Sequence, residues 1–202
     1  MRELEIKREL VKYLIEGSTI DAISIEFPFH FGRRRADLIC LQGNITTGFE
    51  IKSAYDRIDG LAEQLISYAK IFDFVYVVCD EKNLKKIRSR IPTRIGILTC
   101  SATGIIKIRS ARQIKTLDSI ATLDAMPIES LRKTFRYSAA SKIELCEKIK
   151  KEITKEEIKI AFTNYIANRF GAQTSLFQRE TTSSITLDDV FSLGLTTKNL
   201  DR

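Results

Sequence analysis

Hydrophobic and polar positions change rhythm several times along the chain, and each change marks an element. Leu4, Val11, Leu14 and Ile15 recur at helical spacing, so residues 2–16 read as a helix with Gly17 as its stop. Ile23 to Phe27 alternates as a strand, and Pro28 closes it or marks a sheet edge. Arg33 to Ser53 reads as two strands joined by a tight turn at Gly43-Asn44. A helix over 56–72 follows, with Leu61, Leu65, Tyr68, Ala69 and Phe72 as its buried stripe. Phe74 to Cys79 is a nearly continuous apolar run, the pattern of a strand buried on both faces. Asn83 caps a helix that ends near Arg90, before Pro92. Ile95–Cys100 and Ile105–Arg109 read as paired strands turning at Thr103-Gly104. This order predicts an α/β fold, a mixed central β-sheet flanked by helices.

The C-terminal third changes character. Thr116 to Pro127 reads as a connector, and helices are expected over 130–137, 142–153 and 155–170. Thr154 fits a cap and Gly171 a C-terminal stop. Residues beyond about 173 are rich in Thr, Ser and Gln and read as irregular, with a short helix near 187–193. They suit a docking tail or a dimer arm. The chain therefore divides into a core over 1–112, a helical extension over 113–172 and a polar tail over 173–202.

The Gly43-Asn44 turn carries a chemical consequence. Positions pair across it when their numbers sum to 87, which sets Asp37 opposite Glu50. Alternation places Lys52 on the same face. Ala36, Leu38, Cys40, Phe49 and Ile51 take the other face, which is apolar. Two opposed carboxylates repel, so such a pair calls for a cation. The simplest is a hard divalent metal with oxygen ligands. By the same register Arg35 opposes Lys52, where it balances the acidic pair or touches phosphate.

Asp37 followed by Glu50-Ile51-Lys52 resembles the D…(D/E)-x-K signature of the PD-(D/E)XK nuclease superfamily, with Ala36 in place of the proline. Gly32, Arg35-Ala36-Asp37, Gly48-Phe49-Glu50-Ile51-Lys52-Ser53, Gln64, Tyr68 and Phe72-Asp73 together resemble a narrower family within it. That family comprises short bacterial and phage proteins of mostly uncharacterised function, and the likeness covers roughly residues 1–110. The resemblance implies a restriction-endonuclease-like sheet and a metal-dependent nuclease that hydrolyses phosphodiester bonds in DNA, in phage biology, defence or repair. Asp37, Glu50 and the Ile51 carbonyl would then hold Mg²⁺ or Mn²⁺, and Lys52 would stabilise the transition state. Gln64 and Tyr68, four apart on one helix face, would orient the lysine, a metal water or the nucleic acid. A glutamate on the first helix often joins such sites, which singles out Glu9. Glu26 aligns with an acidic residue of the narrower family and either sits near the metal or pairs with an arginine. The alternative is a nuclease-fold module with little or no catalysis, binding nucleic acid or serving as a partner subunit. A third reading is a protein–protein regulator working through the C-terminal helices.

Charge adjusts this picture modestly. The net charge of +7 favours a polyanionic partner. Arg33, Arg34 and Arg35 are the cations nearest the hairpin site and favour DNA electrostatically. The partner this predicts is nucleic acid, DNA first; proteins that cut both strands are commonly dimeric, which leaves a homodimer open. His30 is the sole histidine, which excludes a two-histidine metal site. The four cysteines match no zinc spacing and read as buried thiols. No apolar run approaches a membrane span or a signal region, which predicts a cytoplasmic protein.

Overall fold

The computed structural model describes residues 1–181 and 185–194. Chain order is α1 (Glu3–Gly17), β1 (Ala22–Phe29), β2 (Arg34–Gln42), β3 (Ile45–Lys52), α2 (Leu61–Tyr68), β4 (Phe74–Asp80), α3 (Glu81–Arg90), β5 (Gly96–Ser101) and β6 (Gly104–Arg109). Five helices follow: α4 (Ser119–Asp124), α5 (Ile128–Phe135), α6 (Lys142–Glu152), α7 (Lys155–Glu180) and α8 (Leu187–Ser192).

The six strands form one mixed sheet in sequential order. β1, β2 and β3 are antiparallel, β3, β4 and β5 are parallel, and β6 returns antiparallel to β5. The hairpin register is the one the turn dictates, with Leu38 opposite Phe49 and Ile39 opposite Gly48. Pro28 lies inside β1, and β1 is an edge strand, where a missing amide is tolerated.

Each sheet face carries its own core. Leu38, Cys40, Phe49 and Ile51 pack with Ile6, Leu10 and Val11 of α1 and with Val190 of α8. Ala36 departs from the expected alternation and joins the opposite core, where α2, α3 and α4–α7 cover the sheet. Asp73, fully buried, accepts from the Thr46 amide and hydroxyl and pairs with Lys159, 2.6 Å, which ties α7 to the start of β3.

Several boundaries differ from expectation for identifiable reasons. α2 begins at Leu61 rather than 56, because Asp56 Oδ2 accepts from the Ser53 amide and holds a turn there. α3 is capped by Asp80, not Asn83, since Asp80 accepts from the Lys82 amide. Asn83 instead donates to the Ser53 carbonyl at 2.7 Å and fastens α3 to the end of β3. The expected connector contains α4, capped by Asp118. Gly171 does not stop α7, which runs on to Glu180. It is a point of close approach: a Cβ there would sit 3.3 Å from the Asp21 carbonyl oxygen. Just beyond, the Thr174 hydroxyl accepts from the Ile23 amide at 2.8 Å, and Phe177 enters the α1-side core. Residues 173–180 are thus helical where an irregular segment was expected, and α8 falls at the expected short helix. The rest of the expected tail, 182–184 and 195–202, lies outside the described residues. Among the described residues no helix is long and apolar enough to cross a membrane.

Candidate functional site: a carboxylate and lysine cluster

The sheet parts locally where β1, β2 and β3 carry acids. Regular pairing flanks Glu26 and Asp37 on both sides, through Ile25–Leu38 and Phe27–Ala36, but omits the two acids themselves. Glu26 has φ 52, a left-handed conformation that is rare for a residue with a Cβ. Such strain costs about 1–3 kcal/mol and persists only where surrounding structure enforces it. On the other side of β2 the ladder to β3 also stops at Leu38–Phe49. Asp37 replaces the missing backbone partner with its side chain, accepting from the Ile51 amide at 2.6 Å.

Glu50 lies beneath, 1% exposed, with both oxygens engaged. Lys52 Nζ donates to Oε1 at 2.5 Å and the Tyr68 hydroxyl donates to Oε2 at 2.6 Å. The same hydroxyl accepts weakly from the Asp37 amide at 3.3 Å. Tyr68 therefore links α2, β2 and β3 at one oxygen.

Glu3, Glu26 and Asp37 complete the cluster, each offering a carboxylate oxygen within 4.8 Å of the others. Lys7, one turn after Glu3, stands among them with Nζ 2.7 Å from Glu26 and 3.4 Å from Glu3. Four carboxylates thus face two ammoniums, leaving two negative charges when all are ionised.

The protonation equilibria follow. Burial first and the Glu50 charge second push the Asp37 carboxyl up to about 7, against the pull of the Ile51 amide and Lys7. Burial pulls both lysines down, but adjacent carboxylates outweigh it and hold them above the usual lysine range. For Lys7 the main partner is Glu26, and for Lys52 it is Glu50. Burial, Glu50 and Asp37 raise the Tyr68 phenol well above its ordinary value.

Of the residues singled out in sequence, Asp37, Glu50, Lys52, Tyr68 and Glu26 meet here. Ile51 contacts the site through its amide, and its side chain is buried on the other face. Gln64 is half-buried one turn before Tyr68, with no hydrogen bond to Glu50, Asp37 or Lys52. Glu9 is elsewhere: it pairs with Arg8 at 2.8 Å and, after burial, its charge helps push the Cys100 thiol up to about 11. Arg33 and Arg35 are exposed and Arg34 is half-buried, and none makes an ion pair with the cluster. Lys7 and Lys52, not Arg35, balance the acids. Sequence reasoning missed Glu3 and Lys7. Their spacing of four on the first helix, on the side away from Glu9, was the available signal.

Fold and cluster together define a mixed α/β protein with a polar carboxylate–lysine centre set into a six-stranded sheet. Residues 1–194 match the family model for Bacteriophage P4 protein cII, and the chain belongs to that family. A stretch of 100 residues, 48% of the chain, is 33% identical to Protein cII of Enterobacteria phage P4 and spans 38% of that protein's length. Among solved structures, the SPO1766 protein of unknown function from Silicibacter pomeroyi superposes on 70% of this chain and 99% of its own, with 17% identity and a TM-score of 0.44.

Family membership overturns the expectation of a metal-dependent DNA nuclease, a hydrolase of the PD-(D/E)XK type: the chain is a phage cII protein by family, not a nuclease. The resemblance rested on the short motif Asp37…Glu50-x-Lys52. In the folded chain Lys52 and Tyr68 occupy both oxygens of Glu50, the residue the motif would have holding metal.

Proposed function

We propose that this protein binds nucleic acid, without cutting it, through a divalent cation held by Glu3, Glu26 and Asp37 on a restriction-endonuclease-like sheet. The observation that carries the reading is the convergence of three carboxylates from α1, β1 and β2 to within 4.8 Å. Mg²⁺ and Mn²⁺ take oxygen ligands at roughly 2.0–2.2 Å, so oxygens around one ion lie about 3–4.4 Å apart, close to the span within which these three oxygens fall, and an all-carboxylate donor set suits such an ion. A divalent ion would also cancel the two uncompensated negative charges. Its remaining coordination positions would take phosphate oxygens or water. Lys52 lies beside the cluster, and Arg34 and Arg35 begin β2 next to it with Arg33 just before them, so a phosphate there meets cations as well as the metal. Glu50, locked by Lys52 and Tyr68, fixes the floor of the site.

The test is duplex DNA affinity by fluorescence anisotropy, in Mg²⁺ and in EDTA at matched ionic strength. The expected result is about tenfold tighter binding in Mg²⁺, equivalent to about 1.4 kcal/mol, abolished in Asp37→Asn and in Glu26→Gln, with the DNA intact. Equal affinity in Mg²⁺ and EDTA for wild type would overturn the cation-dependent reading. Absence of binding to DNA and RNA at low salt would overturn nucleic-acid binding altogether.

A further inference from the structure

The chain's positive charge is concentrated away from the acidic cluster. Between Lys82 and Leu117 there are ten lysines and arginines and no aspartate or glutamate. That segment exceeds the whole chain's net charge of +7, so the remainder is net negative by three. It builds α3 after its first residue, the exposed Glu81, then β5, β6 and the strap after β6.

Hydrogen bonds draw these cations together. The Arg109 guanidinium donates to the carbonyls of Ile95 and Pro92, at 2.8 and 3.1 Å, and so pins the end of β6 against the start of β5. The Arg112 amide donates to the Arg94 carbonyl at 2.9 Å. Burial first, and then the neighbouring charge of Arg88, depress the Arg109 guanidinium. Lys82, Lys85, Lys86, Arg94 and Arg112 are all exposed, and none forms a salt bridge among the described residues. Arg90 does, to the exposed Asp59 at 3.2 Å. A surface on which like charges far outnumber counter-charges is destabilising by itself and is suited to a polyanion.

We propose that this face of α3 and the β5–β6 edge binds the sugar–phosphate backbone of duplex DNA. The proposal rests on the nucleic-acid reading above but uses a different surface. Residue register runs Glu50–Val77–Ile97–Arg109 across the sheet. At about 4.8 Å per strand, backbone at the two surfaces is separated by roughly 14 Å. Exposed cations along α3 extend over about 12 Å at 1.5 Å per residue, several phosphate spacings on a duplex that carries one charge per roughly 1.7 Å. The segment from Lys82 to Leu117 contains no Phe, Tyr or Trp. Single-strand binders use aromatic platforms on which bases stack. A basic surface without them reads backbone rather than bases.

The experiment measures how duplex affinity changes with NaCl, for the full chain and for the combined variant Lys85→Gln, Lys86→Gln, Arg94→Gln, Arg112→Gln. Circular dichroism checks that the variant folds. Each lost phosphate contact lowers the slope of log affinity against log salt by about 0.9, so a drop of about 3–4 is expected. The Mg²⁺ effect should persist in this variant, while Asp37→Asn should lose the Mg²⁺ effect and keep the steep slope. An unchanged slope in the combined variant, or a slope that instead vanishes in Arg33→Gln, Arg34→Gln, Arg35→Gln, would overturn the basic-face proposal and leave the cation site untouched. Tighter binding to a single strand than to duplex would overturn it too.

Discussion

At the scale of single residues, Tyr68 and Asp37 hold the centre in place. The Tyr68 hydroxyl satisfies one oxygen of a carboxylate that is 1% exposed. Removing it in Tyr68→Phe leaves Glu50 buried with that oxygen unmet, at a cost of about 2–3 kcal/mol. Denaturant unfolding should show the loss, and a stability within about 0.5 kcal/mol of wild type would refute the role. Asp37 makes stability depend on pH. Its carboxyl titrates near 7 in the fold, against about 3.9 in an unfolded chain. The folded state therefore binds the proton more tightly, and this contribution is fully present below about pH 4 and lost as pH rises to about 7. In metal-free buffer, wild type should lose stability across that window relative to Asp37→Asn, which has no proton to release. Parallel pH profiles for the two proteins would contradict the assignment. Much of this site was legible in sequence. The Gly43-Asn44 turn sets the β2–β3 register as far as Leu38–Phe49 and so brings Asp37, Glu50 and Lys52 into one stretch, but the expected Asp37–Glu50 pairing is not made, because the ladder breaks there and Asp37 bonds the Ile51 amide instead. Glu26 was half legible, because nothing in a strand pattern announces a left-handed glutamate. Glu3 was missed because choosing between Glu3 and Glu9 requires knowing how α1 is rotated on the sheet. That is set by Ile6, Leu10 and Val11 in the packed core.

At the scale of elements, close approaches decide what the hydrophobic pattern leaves open. Gly48 in β3 faces the Phe72 ring, and a Cβ built there falls 2.4 Å from ring carbon Cδ2. Phe72 is fully buried and packs against Phe27, Phe29 and Tyr68, so it has little room to yield. Gly48→Ala should destabilise by about 1–3 kcal/mol through overpacking. A thermal midpoint equal to wild type would show that the ring relocates freely. Gly171 teaches the complementary lesson. A glycine near the end of an apolar-periodic stretch resembles a stop signal, yet here it lets α7 pass Asp21 and carry Thr174 and Phe177 onto the sheet. Sequence pattern identified the strands and most helices because their periods are local. It shortened α7 because the reason for Gly171 lies in β1's approach, about 150 residues earlier.

At the scale of the whole molecule, two polar surfaces sit at different parts of one sheet. The β1–β3 side gathers carboxylates around Lys7 and Lys52, and the β5–β6 side gathers cations that mostly form no salt bridge among the described residues. The net charge of +7 conceals this polarity, since most of the chain is acidic on balance. The short motif at Asp37, Glu50 and Lys52 suggested catalysis, while the family places the chain among phage P4 cII proteins. A motif fixes which side chains meet but not what each of them bonds, and here Lys52 and Tyr68 each hold one oxygen of Glu50.

The most direct test of the account is to soak crystals in Mn²⁺ near pH 7.5 and record anomalous diffraction. The cation reading predicts one strong peak about 2.0–2.3 Å from oxygens of Glu3, Glu26 and Asp37, absent in crystals of Asp37→Asn. A cluster with no peak, and with Lys7 still seated between Glu3 and Glu26 at saturating Mn²⁺, would contradict it: the lysines would then be the site's cations.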